Sequence, residues 1–134
     1  MNIAIVGATG NVGRKTLEVL EKKDLSIDNL YLLASSKSVG KKINFKGVGY
    51  EIHDLESFDF SKVKICFFAA GGKISEKFAE KAAKDCFVID NSSFYRMDPD
   101  VPLIVPQVNS NHLDGLRKNI IANPNCSTAQ LVIL

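Results

Sequence analysis

Several things are scarce in this sequence of 134 residues, and each scarcity removes a class of function. Excess charge is the first. The 17 Lys and Arg face 15 Asp and Glu, a net of +2, too little to draw the chain to a nucleic acid or a membrane surface. Long apolar runs are also missing. Charged residues break every hydrophobic stretch well short of the ~20 residues a bilayer-crossing helix needs. The opening MNIAIVGATG carries no basic leader and only a few apolar residues in a row, so it does not read as a secretory signal. Cysteine is sparse and odd in number. Three, widely spaced, fit neither a disulfide framework nor a metal site, so no metal is expected and a reducing cytoplasm is the expected compartment. Repeats, linkers and low-complexity segments are lacking as well. What remains, 46% apolar and 24% charged, is the composition of an ordinary globular domain and excludes disorder, collagen and coiled coil. At this length one core buries about two thirds of the unfolded surface, so a single domain is expected. The final STAQLVIL is apolar and ends without cap or breaker, as expected of a fragment.

Hydrophobic patterning supplies the elements. Asn2 to Val6 is a β-branched run that stops at Gly7, a buried strand entering a turn. Thr16, Leu17, Val19 and Leu20 recur at helical spacing, predicting a helix from about Gly10 to Lys22. Leu30 to Ala34 predicts a second strand, and Ile43 to Ile52, with weak alternation around Gly47 and Gly49, a small hairpin. Val63 to Ala70 predicts a third buried strand. Ile74, Phe78, Ala79 and Ala82 mark an amphipathic helix, and Cys86 to Ile89 another strand. DPDVPLIVPQVN reads as turn and edge structure, and Asn119 to Ala122 as a last short strand. Strands alternating with helices predict an α/β fold, a Rossmann-type doubly wound, mostly parallel sheet with helices on both faces.

Gly7-Ala8-Thr9-Gly10-Asn11-Val12-Gly13 is a G-x-x-G-x-x-G variant of the dinucleotide fingerprint, with a strand before it and a helix after it. In that setting Gly7 permits the tight turn, Gly10 lets a phosphate approach, and Gly13 lets helix and strand pack closely. The residue that reads the ribose 2′ position lies about 20 residues further on. There the sequence offers Ala34-Ser35-Ser36-Lys37-Ser38, with Lys41, Lys42 and Lys46 behind, and no carboxylate. Hydroxyls and ammonium groups suit a 2′-phosphate, which favours NADP over NAD. A plain solvated basic loop also fits these residues.

The three cysteines divide. Cys66 and Cys86 sit in apolar strand-like runs, where cysteine packs as a small hydrophobe. Cys126 follows Asn123-Pro124-Asn125 and precedes STAQL, so it opens a helix, where free N–H groups favour a thiolate. In a domain that binds a hydride carrier, that position points to covalent catalysis on an aldehyde or acyl group through a thiohemiacetal and a thioester. Position alone also fits a cap-region cysteine with no chemistry.

GATGNVG, ASSKS, FFAAGG, IDNSSFYRMD, PLIVPQVN and IANPNCSTAQ occur here in one order. Together they resemble the amino-terminal, NADP-binding part of the bacterial aspartate-semialdehyde dehydrogenase family, from Met1 to Leu134. NPNCST with NSS-x-x-R is the specific part of the likeness. The resemblance implies reversible, NADP-dependent reductive dephosphorylation of 4-aspartyl phosphate to aspartate 4-semialdehyde and phosphate. That step feeds lysine, diaminopimelate, threonine, methionine and isoleucine synthesis. It implies that Cys126 is the nucleophile carrying the acyl-thioester, and that Arg96 and Asn125 hold the substrate phosphate. It places the cofactor pyrophosphate on the loop after Gly7, at Thr9, Gly10, Asn11 and Val12, the 2′-phosphate at Ser35, Lys37 and Ser38, and the nicotinamide half beside Ala70 and Gly71. Alone, Arg96 would read as a surface arginine.

Departures are small. Lys37 stands where the family commonly has arginine, a point charge in place of a fork, Phe94-Tyr95 replaces a small-then-aromatic pair, and Gln107 replaces a frequent glutamate. The family's acid–base histidine and further substrate-binding residues belong to a second domain after the nucleophile. His53 and His112 match neither that motif nor its order and read as ordinary surface or loop residues. Without a positioned base a factor of about 10²–10⁴ in rate is lost, so residues 1–134 alone are expected to turn over poorly. A homodimer is expected of the whole protein. Two alternatives stand beside this reading: a non-catalytic NADP-binding module, and the related N-acetyl-glutamyl-phosphate reductase, whose cysteine motif usually runs NPGCYPT.

Overall fold

The computed structural model describes residues 1–134. Its centre is β1 (Asn2–Val6), which is apolar on both faces because both are covered. Ile3 and Ile5 point to one side, against Leu17 and Leu20 of α1 (Asn11–Glu21) and Leu30 and Leu32 of β2 (Asn29–Ala34). Ala4 and Val6 point to the other, against Phe78, Ala79 and Ala82 of α2 (Gly72–Ala82). The two-residue period of a strand thus divides one short segment between two cores.

Around β1 the sheet runs β3 (Lys42–Phe45), β4 (Val48–Asp54), β2, β1, β5 (Ile65–Phe68), β6 (Phe87–Asp90) and β7 (Ile120–Ala122). Six strands are parallel, and only β3 is antiparallel. The β3–β4 hairpin turns at Lys46 and Gly47, both at positive φ (50° and 79°), the geometry a two-residue turn needs to match strand twist. The chain steps outward from β1 to β2 and β4, then returns to lay β5 on the other side of β1. That reversal opens the crevice at the carboxyl ends of β1 and β5 where doubly wound sheets bind ligands. The Rossmann-type sheet read from the sequence is therefore the fold observed.

Some boundaries differ from the sequence reading. The helix after the glycine loop starts at Asn11, with Gly10 as its cap. β5 is shorter than Val63 to Ala70, because the chain leaves the sheet after Phe68 to form the crevice wall. DPDVPLIVPQVN is edge structure only in part. Leu103 bridges Ala122, but Pro106–Asn109 forms a short helical turn, α3, with Pro106 in its first position. Proline suits that position because the N–H it lacks would have had no partner there. No helix is long and apolar enough to cross a membrane.

Gly13 shows how tightly α1 is seated. A Cβ there would lie 2.3 Å from the Gly7 carbonyl oxygen and 2.8 Å from Ala8 Cα. Gly13→Ala must push α1 off the sheet, at a cost of about 1–3 kcal/mol. A urea titration should show a lowered midpoint with unchanged slope, and a wild-type midpoint would contradict this packing.

Candidate active site

The crevice begins at Gly7. Its φ of +82° is open to glycine, and a Cβ there would meet Ala69 C and O and Ala70 Cβ, each at 2.9 Å. Only glycine lets the loop after β1 lie against the loop after β5. Backbone bonds then pin the turn: the Gly7 and Ala8 N–H groups donate to Leu33 O at 2.8 and 3.3 Å, and the Gly10 N–H to Gly7 O at 3.0 Å. The N–H groups of Thr9, Asn11 and Val12 donate to no protein acceptor, Gly10 offers no capping side chain, and the first turn of α1 holds no acidic residue. Free donors and the positive end of an 11-residue helix therefore face the same opening. These residues fit the pyrophosphate of a dinucleotide.

A cleft of about 460 Å³ opens there. Gly7, Thr9 and Gly10 form one wall, Ala34, Ser35 and Ser36 a second, and Ala69 and Ala70 with Ile74 and Phe78 a third. Four of the residues assigned to the cofactor from sequence thus line it together with Ala70. Gly71, at φ +86°, caps α2 beside Ala70. Lys37 lies outside the lining, exposed on a short 3₁₀ turn, Ser36–Ser38, and without an ion-pair partner. Ser38 is half-buried, its N–H on Ser35 O at 2.9 Å. Asn11 is exposed, and the Val12 side chain faces a groove on another face of α1 with Thr16 and Val19. Asn11 and Val12 lie outside the cleft lining, directly after Gly10, which belongs to it.

The sequence reading missed Asp54 and Glu56, which also line the cleft. It found no carboxylate after β2, which is true of the sequence, but Ala34 pairs with Asp54 across β2 and β4. That pairing carries two carboxylates in from the next strand. Both are engaged: Glu56 with Lys77 at 2.5 Å, and Asp54 as acceptor of the Glu56 N–H at 3.2 Å. Nothing in the local sequence announces them.

A second group stands at the ends of β6 and β7, where Asp90 pairs with Ala122. Each strand is followed by an asparagine. The Asn123 side-chain amide donates to Asn91 Oδ1 at 2.6 Å, and the Asn123 N–H to Asp90 O at 2.8 Å. Arg96 enters between them, donating through Nε to Asn123 O at 3.0 Å and through Nη2 to Asn91 O at 3.3 Å. Carbonyls hold the guanidinium without neutralising it, and no carboxylate pairs with it. Its remaining edge suits an oxyanion. Two residues beyond Asn123, Asn125 caps α4 (Cys126–Leu131) by accepting the Ser127 N–H at 3.0 Å, and its Oδ1 lies 3.9 Å from Cys126 Sγ. The Asn91 N–H donates to Phe68 O at 3.0 Å, tying this group to the strand that borders the cofactor cleft. Arg96 is thus anchored at Asn123, and Asn125 and Cys126 follow two and three residues later, with Asn91 and Asn123, which the sequence reading gave no role, as the holders of the arginine. The asparagine that follows each strand was the available signal.

His53 is exposed on β4 beside Tyr31, and His112 is exposed near Pro99 and Arg117. Neither belongs to either group, as the sequence reading expected. Cys66 and Cys86 are 0% and 5% exposed, whereas Cys126 is open to solvent. Burial pushes the Cys66 thiol up, since its thiolate would have no water, and Cys86 Sγ donates to Ala82 O at 3.3 Å. Iodoacetamide on the native protein should label Cys126 alone among these three, as read by peptide mass mapping. Labelling of Cys66 or Cys86 before unfolding would contradict this division.

A family profile described as "Semialdehyde dehydrogenase, NAD binding domain" matches residues 2–116. An aspartate-semialdehyde dehydrogenase of Legionella pneumophila is 50% identical over 135 residues, covering 99% of this chain and 39% of that protein. The structure of aspartate semialdehyde dehydrogenase II complexed with ASA from Vibrio cholerae superposes with a TM-score of 0.95 at 48% identity, over 98% of this chain and 44% of that one. The Candida albicans enzyme with NADP superposes with a TM-score of 0.81 at 27% identity, over 98% and 44%. The chain spans about two fifths of the length of the curated relatives it matches. With a dinucleotide crevice at β1 and with that profile spanning most of its length, the chain belongs to the semialdehyde dehydrogenase family as its NAD-binding domain.

Proposed function

We propose that this chain is the cofactor domain of an NADP-dependent aspartate-semialdehyde dehydrogenase. The reaction is the reversible reductive dephosphorylation of 4-aspartyl phosphate, and residues beyond this stretch complete the substrate site. The observation that carries the reading is the exposed Cys126 three residues after Asn123, whose carbonyl, with that of Asn91, holds an Arg96 that has no ion-pair partner. A nucleophile three residues from the carbonyl that anchors a cation with a free edge suits an acyl phosphate. Relatives about half identical that carry this name support the substrate class.

In the biosynthetic direction the Cys126 thiolate attacks the acyl carbon, a C–S bond forms, and the bond to the phosphate oxygen breaks. Arg96 and Asn125 hold the departing phosphate, Arg96 by charge and donors, Asn125 by its side-chain amide. When bound, the nicotinamide would supply the hydride that reduces the acyl group. The C–S bond then breaks, returning the electron pair to Cys126 as aspartate 4-semialdehyde leaves. Thr9, Asn11 and Val12 would hold the pyrophosphate through their unpartnered backbone N–H groups. Neither histidine here stands with Cys126, so the acid–base group belongs to the part of the protein outside these residues. Dimerisation and a cytoplasmic setting go with the same reading, the latter in keeping with three free cysteines.

For cofactor choice, Ser35, Lys37 and Ser38 take the 2′-phosphate. Support comes from Lys37 having no ion-pair partner, from the prior engagement of Asp54 and Glu56, and from the NADP in the Candida albicans relative. Lys37→Glu should weaken NADP binding about tenfold, ~1.4 kcal/mol, and leave NAD binding unchanged. Titration calorimetry with both nucleotides checks this, and equal losses for the two would contradict it.

The function is tested on the protein expressed from its whole reading frame. With phosphate and NADP it should oxidise aspartate 4-semialdehyde in preference to N-acetyl-glutamate 5-semialdehyde. Cys126→Ser should lower kcat by at least about 10⁴-fold without changing NADP affinity. Preference for the glutamate compound, or a Cys126→Ser variant of undiminished rate, would overturn the reading.

A further inference from the structure

Asp90 is the only charged side chain in the interior, fully buried at the end of β6. Two further polar residues are buried, Ser75 of α2 and Ser92, and both are bonded to it. Ser75 Oγ donates to Oδ1 at 2.7 Å, the Ser92 N–H to Oδ1 at 3.0 Å, and Ser92 Oγ to Oδ2 at 2.7 Å. No lysine, arginine or histidine pairs with it. A buried carboxylate with neutral partners alone is a poor way to stabilise a fold, and a well-packed apolar residue is commonly as good or better. What a carboxylate supplies that an apolar group cannot is a set of acceptors facing several directions at once.

Those directions lead to the site. Ser92 Oγ, oriented by Asp90, accepts the Phe94 N–H at 3.1 Å, which closes the turn that delivers Arg96. The Asp90 backbone carbonyl accepts the Asn123 N–H at 2.8 Å, which sets the strand end that leads to Cys126. Both carbonyls that hold Arg96, those of Asn91 and Asn123, are therefore one step from Asp90. Through Ser75 the same carboxylate grips α2, whose cap Gly71 sits beside Ala70 of the cofactor cleft.

We infer that Asp90 is a positioning residue for the oxyanion site: through Ser92 and the Asn91 and Asn123 backbones it aims Arg96, and through Ser75 it registers that site against the cofactor domain's α2. Asp90 touches neither substrate nor cofactor. The inference rests on the reading of Arg96 as the phosphate-binding residue.

Asp90→Asn keeps the side chain's volume but replaces one acceptor oxygen with a donor. Ser92→Ala removes the link from Asp90 to the Phe94 N–H and leaves the carboxylate in place. Both are compared with Arg96→Lys in the protein expressed from its whole reading frame, by steady-state kinetics with aspartate 4-semialdehyde, NADP and inorganic phosphate. Asp90→Asn should raise the KM for phosphate about tenfold, ~1.4 kcal/mol, and Ser92→Ala about threefold, each leaving the KM for NADP within about twofold. Wild-type phosphate KM in both variants, with a raised KM in Arg96→Lys, would overturn the role of Asp90 alone. An unchanged phosphate KM in Arg96→Lys would overturn the Arg96 reading and this inference with it. A lowered thermal midpoint with unmoved phosphate KM would mark Asp90 as structural only. If Asp90→Asn does not fold, Ser92→Ala decides.

Discussion

The structure depends on the central place of β1. Because β2 and β5 bond to its two edges and a core covers each face, its end at Val6 cannot move without disturbing four neighbours. The loops that follow are consequently fixed in relation to one another. Gly7 has to turn so near the β5 loop that a Cβ on it would lie 2.9 Å from Ala69 and Ala70, and it can do so only because it has none. The helix that follows then delivers its unpartnered N–H groups to the crevice. Cofactor binding in this domain is thus a consequence of strand order: the fold brings together two loops, and the glycines keep the space between them open.

Further along the sheet the same geometry serves a different chemistry. β6 and β7 end in register, and each passes into an asparagine. The two asparagines interlock, and their carbonyls grip Arg96. An arginine held by carboxylates would be neutralised, whereas one held by carbonyls keeps its charge and an unused edge. The buried Asp90 is bonded to two serines and does not pair with the guanidinium. The separation leaves Arg96 electrostatically available at the point where the chain turns into Cys126.

Much of this was readable in the sequence where the signal is local. The β-branched run before Gly7, the glycine spacing and the helical recurrence after it specify a strand–loop–helix whatever surrounds them. Cys66 and Cys86 were separable from Cys126 because apolar neighbours predict burial and NPN predicts a helix start. The parts that could not be read are those that depend on pairing. Asp54 enters the cofactor cleft only because β4 lies beside β2, 20 residues away in sequence from the Ala34 it faces. The carboxylate of Asp90 reads locally as one more polar residue before a turn, and only the packing of α2 above it reveals that it is buried. Pro106 reads as a breaker, although in this position it begins a helical turn.

Covalent chemistry at Cys126 is the centre of the functional reading, and trapping the intermediate tests it most directly. The protein expressed from its whole reading frame is incubated with aspartate 4-semialdehyde and NADP, with phosphate withheld, then acid-quenched and mapped by mass spectrometry. One aspartyl group should appear as a thioester on the peptide containing Cys126 and disappear when phosphate is added before the quench. Turnover without that adduct, or an adduct carried by Cys66 or Cys86, would contradict the assignment.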